Sequence, residues 1–335
     1  MKVIGCLATV CLALFSLEGG VSAQESLFAG KRINLIVGFA AGGGTDVAAR
    51  LLARHLGGHI PGNPSIVVQN LPGAGGLRAV SALDVPEAAD GTTIVSFNPS
   101  AVVESFLTPD KVKVDFSRIQ WLGAIDKVTR VCYMWGATGV KSLEEARKRD
   151  QVIVPVSGAG ATGTEERILE KILGVKLKVV FGYAGAAETH LALERGEVEG
   201  NCGTWAAISP DWLRDKKINV LVRFQKDAAK DVPVDIPYVG DLISDPVKLK
   251  IVDLLEAGSS LGRPFILSKD VPADRVKVLR DAFEKTMIDP KFLADAQKTI
   301  GVPSPIPGVT LQEMVEALYA SPPSVVAAAK EIAEN

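Results

Sequence analysis

The sequence predicts an α/β protein of two lobes, each a mostly parallel sheet flanked by helices, with a hinge and a cleft between them. Three observations carry this. Short apolar runs alternate with helical patterns from Arg32 onward, the signature of parallel sheets covered by helices on both faces. The strands end in glycine-rich turns. And two charged or irregular stretches, Trp121–Arg130 and Arg223–Pro237, interrupt the alternation where a chain would cross between lobes. Two crossings make a hinge suited to closing around a solute.

In chain order, Ile33–Phe39 reads as a buried strand and Asp46–Leu56 as a helix with Val47, Leu51 and Leu52 on one side. A strand at Ser65–Gln69, a helical stretch at Leu77–Leu83 and a strand at Thr92–Phe97 complete the first block. The second block has strands at Gln151–Val156, Leu177–Phe181, Gly200–Thr204 and Ile218–Phe224, with helices at Glu165–Leu173 and Glu188–Arg195. The last third, Pro272–Asp289, Leu311–Ala320 and Pro323–Glu334, is largely helical.

The ends and the composition bound the function. Met1 and Lys2 precede an apolar run from Val3 to Leu17, and Val21-Ser22-Ala23 supplies small residues before Gln24. This is the pattern of a secretory signal cut after Ala23. The run is too short to span roughly 30 Å of hydrocarbon comfortably, and neither Cys6 nor Cys11 stands in a lipid-attachment context. Cleavage leaves a chain long enough for about two domains. It also leaves Cys132 and Cys202, which in an exported protein form either one disulfide or two buried thiols. The net charge of −2 gives no basic field for nucleic acid.

Four glycine turns follow strands: Ala40–Asp46, Asn70–Gly76, Ser157–Thr164 and Gly182–Gly185. In parallel α/β sheets such carboxyl-end loops line the ligand crevice. Glycine lets backbone N–H groups approach a ligand, and each helix N-terminus favours an anion by about 0.3–1 kcal/mol. Converging turns of this kind can hold a carboxylate without an arginine.

Gly158-x-Gly160-x-x-Gly163 matches the dinucleotide fingerprint letter for letter, which would make the protein an NAD-dependent oxidoreductase. That fold needs a carboxylate about 20 residues on, at the end of the next strand, for the ribose hydroxyls. Val180-Phe181-Gly182-Tyr183 offers none. His55 and His59 lack the glutamate of a zinc-protease pattern, and no Gly-x-Ser-x-Gly occurs. No catalytic group, cofactor or metal site is expected. Asp46 reads as a cap of the first helix or a partner of ligand-side water.

These turns resemble those of tripartite tricarboxylate transporter receptors, also called Bug-type periplasmic binding proteins. Phe39–Asp46 resembles that family's Phe-x-Pro-Gly-Gly-x-x-Asp loop, with Ala41 in place of proline. Asn70-x-Pro72-Gly73-Ala74-Gly75-Gly76 matches its second loop, and Asp90-Gly91-Thr92-Thr93 stands where it has Asp-Gly-Tyr-Thr. Ser157–Thr164, Tyr183-x-Gly185 and Gly196–Glu199 follow in order.

The resemblance implies a solute-binding protein of the periplasm, acting as a monomer and delivering a mono-, di- or tricarboxylate to the membrane subunits of a transporter. Its domains would be 24–126 with 226–335, and 127–225. Carried over by motif, the ligand-binding positions are Phe39, Gly42, Gly43, Gly44, Thr45 and Asp46, with Ser157, Gly158, Thr162, Thr164 and Tyr183. Asn98 and Ser100 join them as residues that follow a strand. Trp205 either packs on the ligand or belongs to the second lobe's core. Where many members have Phe-Asp this chain has Cys202-Gly203, which disfavours an amino-acid ligand. A ligand-sensing partner of a membrane sensor kinase would use the same cleft, and the sequence does not separate the two roles.

Overall fold

A computed structural model describes residues 27–157, 163–183 and 185–334, without the Ser157 side chain. The expected signal segment and the candidate residues Gly158 and Thr162 lie outside it.

The first block runs β1 (Arg32–Val37), α1 (Gly44–Leu56), β2 (Ser65–Asn70), α2 (Leu77–Val80), β3 (Thr93–Ser96), α3 (Ser100–Leu107) and β4 (Gln120–Ala124). The second runs β5 (Arg130–Trp135), α4 (Leu143–Lys148), β6 (Val152–Ser157), α5 (Thr164–Arg167), β7 (Leu177–Tyr183), α6 (Ala186–Glu194), β8 (Gly200–Thr204), α7 (Pro210–Arg214) and β9 (Ile218–Arg223). The chain then forms α8 (Pro246–Leu255), α9 (Ala257–Ser260), β10 (Pro264–Leu267), α10 (Ala273–Met287), α11 (Pro290–Thr299), β11 (Ile306–Pro307), α12 (Gly308–Tyr319) and α13 (Pro323–Glu334).

The two-lobed α/β architecture is present, but its sheets are mixed rather than mostly parallel. The first sheet has the order β11-β4-β10-β3-β1-β2. β1 pairs in parallel with β2 and β3, whereas β10 runs antiparallel to both β3 and β4. The physical reason lies in the path of the chain. β10 arrives after the second block and inserts between strands laid down before it. The second lobe holds a three-stranded antiparallel sheet, β8-β5-β9, and a parallel pair, β6-β7. The two meet at Glu199, whose N–H donates to the Ile153 carbonyl at 2.8 Å and whose carboxylate accepts from the Ile153 N–H at 2.9 Å.

Helix α1 shows how sequence pattern becomes packing. Leu51, Leu52 and Leu56 are fully buried beside Ala48 and Ala49, and Val47 is half-buried. Their face packs against α10 and α11, and each such leucine stabilises the fold by about 1.5–3 kcal/mol. The stretch 226–335 divides its packing. β10 and β11 join the first sheet, α10 and α12 pack on its β4, and α11 packs on α1. Ile251, Val252 and Leu255 of α8 and Val325 of α13 instead share a core with Cys132, Val154 and Leu169.

Strands β4 and β5 take up both ends of the segment expected to be the first crossing, where Trp121, Leu122 and Ala124 are buried core residues. The crossing itself is only 125–129. It is knitted to the second crossing by a Lys127–Asp227 ion pair, by the Ala229 N–H donating to Thr129 Oγ1 at 2.8 Å, and by the Arg130 N–H donating to Gln225 Oε1 at 2.6 Å. Cys132 and Cys202 face each other across β5 and β8 and form a disulfide. No described helix is long and apolar enough to cross a membrane.

Candidate functional site

Between the lobes, where the first sheet's strands end, lies a cleft of about 200 Å³. Phe39, Thr45, Asn98 and Ser100 line it, so the structure brings together candidates from two separate strand ends. Asn98 Oδ1 accepts from the Ser100 N–H at 3.1 Å, which fixes the turn into α3. Gly258 presses α9 against that turn. A Cβ there would come within 2.9 Å of Ser100 Cα, so only glycine allows this approach.

The first glycine loop is built from beneath. Asp46 is 2% exposed. Its Oδ2 accepts from the Gly42 N–H at 2.8 Å and from Arg50 Nε at 2.9 Å, and its Oδ1 accepts from Asn70 Nδ2 at 2.8 Å. The Arg50 hydrogen bond, aided by Gly42 and Asn70, outweighs burial and holds its carboxyl down at about 2. Asp46 therefore braces the loop, and Gly42 gives its N–H to Asp46 rather than to the cleft. The exposed Gly43 and Gly44 open α1, and no side chain caps that helix. Its first turn presents backbone donors and partial positive charge to the cleft.

The second glycine turn does different work. Asn70 Nδ2 also donates to the Phe39 carbonyl at 3.0 Å, and a Cβ on Gly38 would stand 2.8 Å from Gly76 Cα. This turn is a close-packed brace for the first loop, and none of Asn70–Gly76 lines the cleft.

Two arginines that the glycine argument left out also line the cleft: Arg130, which opens β5, and Arg263, just before β10. Arg263 Nη1 donates to Asp126 Oδ2 at 2.7 Å. A Cβ built on Gly44 would lie 3.9 Å from Arg263 Nη2, which puts the guanidinium beside the N-terminus of α1. Arg130 pairs with Glu165 and donates to Thr204 Oγ1 at 3.3 Å. Burial opposes its charge, but the carboxylates of Glu165, Glu256 and Glu166 hold it above its ordinary value. Of these, Glu165 stays low because Arg130 outweighs its burial. Burial and then the charge of Glu165 push Glu166 up to about 8. Arg130 carried a sequence signal, its place at the end of the first expected crossing, whereas Arg263 lies beyond both crossings and carried none.

Of the second lobe's candidates, Thr164, Tyr183 and Trp205 are described with their side chains. Thr164 opens α5 and Tyr183 ends β7, and neither lines the cleft. Tyr183 packs, half-buried, on the core that contains Trp205. Trp205 is 8% exposed among Val131, Tyr133 and Ile208, the core alternative weighed for it above. Ser157 ends β6 beside Tyr183 of β7. Among the described residues no group of three or more His, Cys, Asp or Glu side chains could hold a metal ion.

No family model matches the chain. A UPF0065 protein of Cupriavidus necator is 25% identical over 298 residues, covering 85% of this chain and 83% of that protein. BugT of Bordetella pertussis is 36% identical over 124 residues, 35% of this chain and 37% of BugT. Among solved structures, a TctC solute-binding protein from Polaromonas superposes with a TM-score of 0.73 at 20% identity, over 90% of this chain and 98% of that one. MatC of Rhodopseudomonas palustris, solved with malate, gives 0.57 at 20% identity over 91% and 100%. A second R. palustris protein, solved with adipate, gives 0.57 at 21% over 91% and 97%. The chain is thus a homologue of the UPF0065 and Bug proteins and carries the two-lobed fold of TctC-type periplasmic solute-binding proteins.

Proposed function

We propose that this protein is an extracytoplasmic receptor that captures a small organic carboxylate in the cleft, without catalysis, for a tripartite tricarboxylate-type transporter. One observation carries the reading: the uncapped N-terminus of α1 and the Arg263 guanidinium lie side by side on a cleft that Arg130 also lines. Helix N-terminus and guanidinium both favour an anion, and a guanidinium can grip a carboxylate through two parallel hydrogen bonds. The solved relatives that hold malate and adipate have dicarboxylates in the same fold, and the α1 N-terminus with Arg263 suits one such carboxylate.

In this reading Phe39, Gly43, Gly44, Thr45, Asn98 and Ser100 receive the ligand on the first lobe. Ser157, Gly158, Thr162, Thr164 and Tyr183 meet it as the unit 127–225 closes on the crossings. Gly42 and Asp46 hold the first loop in shape. Export follows from the N-terminal signal, cut after Ala23, and the Cys132–Cys202 disulfide suits an oxidising compartment.

The test is a thermal-shift and titration panel of mono-, di- and tricarboxylates, amino acids and NAD on the mature protein. A shift with one class of carboxylates and none with NAD is expected. Arg263→Met should weaken that ligand about 10- to 100-fold, the loss of one charge-assisted pair. Gly43→Val should abolish binding with the fold unchanged. Gly43 has φ −74° and ψ 162°, which valine adopts freely, and its added Cβ would meet only the Ala40 carbonyl at 3.6 Å. A shift with NAD, or undiminished affinity in both variants, overturns the assignment.

A further inference from the structure

Behind the crossings lies a second cavity, of about 340 Å³, within the size range of small-molecule sites. Val128 lines both this cavity and the cleft, so the first crossing is the wall between them. Its sides are largely apolar, with Phe224, Ile306, Met314 and Leu318. Glu256 also lines it, and Glu256 is 3% exposed. Gln225 Nε2 donates to Glu256 Oε2 at 3.0 Å, while Oε1 is buried with no hydrogen-bond partner among the described residues.

A buried carboxylate oxygen left unmatched is costly, and native folds keep such a group where function supplies its partner. The surrounding charge says which kind of partner. Glu165, Glu166 and Glu256 all act on one buried guanidinium, that of Arg130. Glu165 takes it, and Glu166 and Glu256 are left as carboxyl groups without a paired cation, both pushed up by burial and by Glu165. At the cavity rim Lys127 pairs with Asp227, and Lys226 acts on Asp253, to which Tyr238 Oη donates at 3.4 Å. The rim is thus balanced, and the unmatched carboxyl is that of Glu256.

We propose that this cavity is a second ligand site, taking a primary ammonium on a small apolar body. The ammonium donates to Glu256 Oε1, and the body lies against Phe224, Met314 and Leu318. Burial and the charge of Glu165 push the Glu256 carboxyl well up from its ordinary range, and a bound ammonium would reverse that effect.

The probes are benzylamine and hexylamine, with benzyl alcohol and hexanoate as controls of equal bulk, titrated into the mature protein by calorimetry at pH 7. The amines should bind with a dissociation constant of about 1 mM or tighter, as small polar fragments do, and the controls at least about tenfold more weakly. Glu256→Gln, which keeps the shape and removes the charge, should weaken the amines about tenfold or more. Ala317→Phe, at an exposed position on the rim, should block them while the response to carboxylates persists. No heat with either amine, equal binding of benzyl alcohol, or amine binding unaffected by both variants overturns the proposal. Because the cleft is read by carboxylates and this cavity by amines, the two assignments fail separately.

Discussion

Asp46 organises three donors from three parts of the first lobe: the loop, its own helix and β2. Its value in the fold, about 2, lies below the usual 3.8. The stability it contributes is therefore complete above about pH 3.8 and is lost as the pH falls through about 2. Because its partner Arg50 is 44% exposed, solvent screens part of the effect, and we expect about 1–2 kcal/mol. Asp46→Asn should lower stability by that amount at pH 7 and by little at pH 2, read from urea unfolding at the two values. An equal loss at both would mean that shape, not charge, holds the loop.

At the scale of elements, the first turn of α5 carries Glu165 and Glu166, both buried. A helix N-terminus favours carboxylates, yet two adjacent buried ones share the single Arg130 guanidinium. Glu165 takes it, and Glu166 is left with its carboxyl raised to about 8. In the unfolded chain it titrates near 4.5. Between those values the folded protein binds the extra proton, so stability falls as the pH rises from about 4.5 to 8. Glu166→Gln should therefore raise the unfolding midpoint at pH 8 and leave it nearly unchanged at pH 4.5. A midpoint unchanged at pH 8 would mean that Glu166 is ionised without cost. The same element borders the loop expected to close over the ligand, which ties this charge balance to the cleft.

For the molecule as a whole, two features set what can move. The crossing 125–129 and the adjoining Arg130 are cross-linked to the stretch Arg223–Pro237 through Lys127, Thr129 and Arg130. Helix α13 packs on α8 and α3, and its Ala333 carbonyl accepts from Arg167 of the second lobe. In the proposed closure, this back edge is the pivot. Inside the second lobe, the disulfide closes a loop of 70 residues. Loop-closure entropy puts its worth at up to about 4 kcal/mol, with about 2–4 typical. The double variant Cys132→Ala/Cys202→Ala should lose stability of that order in denaturant unfolding. A loss below about 0.5 kcal/mol would show that the β5–β8 pairing holds without the cross-link.

The alternation of strands and helices and the glycine turns were legible in the sequence because they are local. Backbone freedom and helical period need only a few consecutive residues. Asp46, expected as a helix cap or a partner of ligand-side water, instead braces the loop through Gly42, Arg50 and Asn70. The motif resemblance added Phe39 and Thr45, and Asn98 and Ser100 were added by their place after a strand; these four line one cleft. Other features depended on how distant segments meet. The antiparallel β10 between β3 and β4 follows from a chain that leaves the first lobe and returns, which no local pattern records. For Asn70–Gly76, the sequence could not tell a ligand-binding turn from a packing turn, because the difference is whether Gly38 presses on Gly76. Arg130 and Arg263 lie 133 positions apart in sequence numbering and meet the same cleft only through tertiary folding. Their charges, and the crowd of carboxylates around Arg130, arise from long-range packing and desolvation, which turn ordinary side chains into the electrostatics of a site.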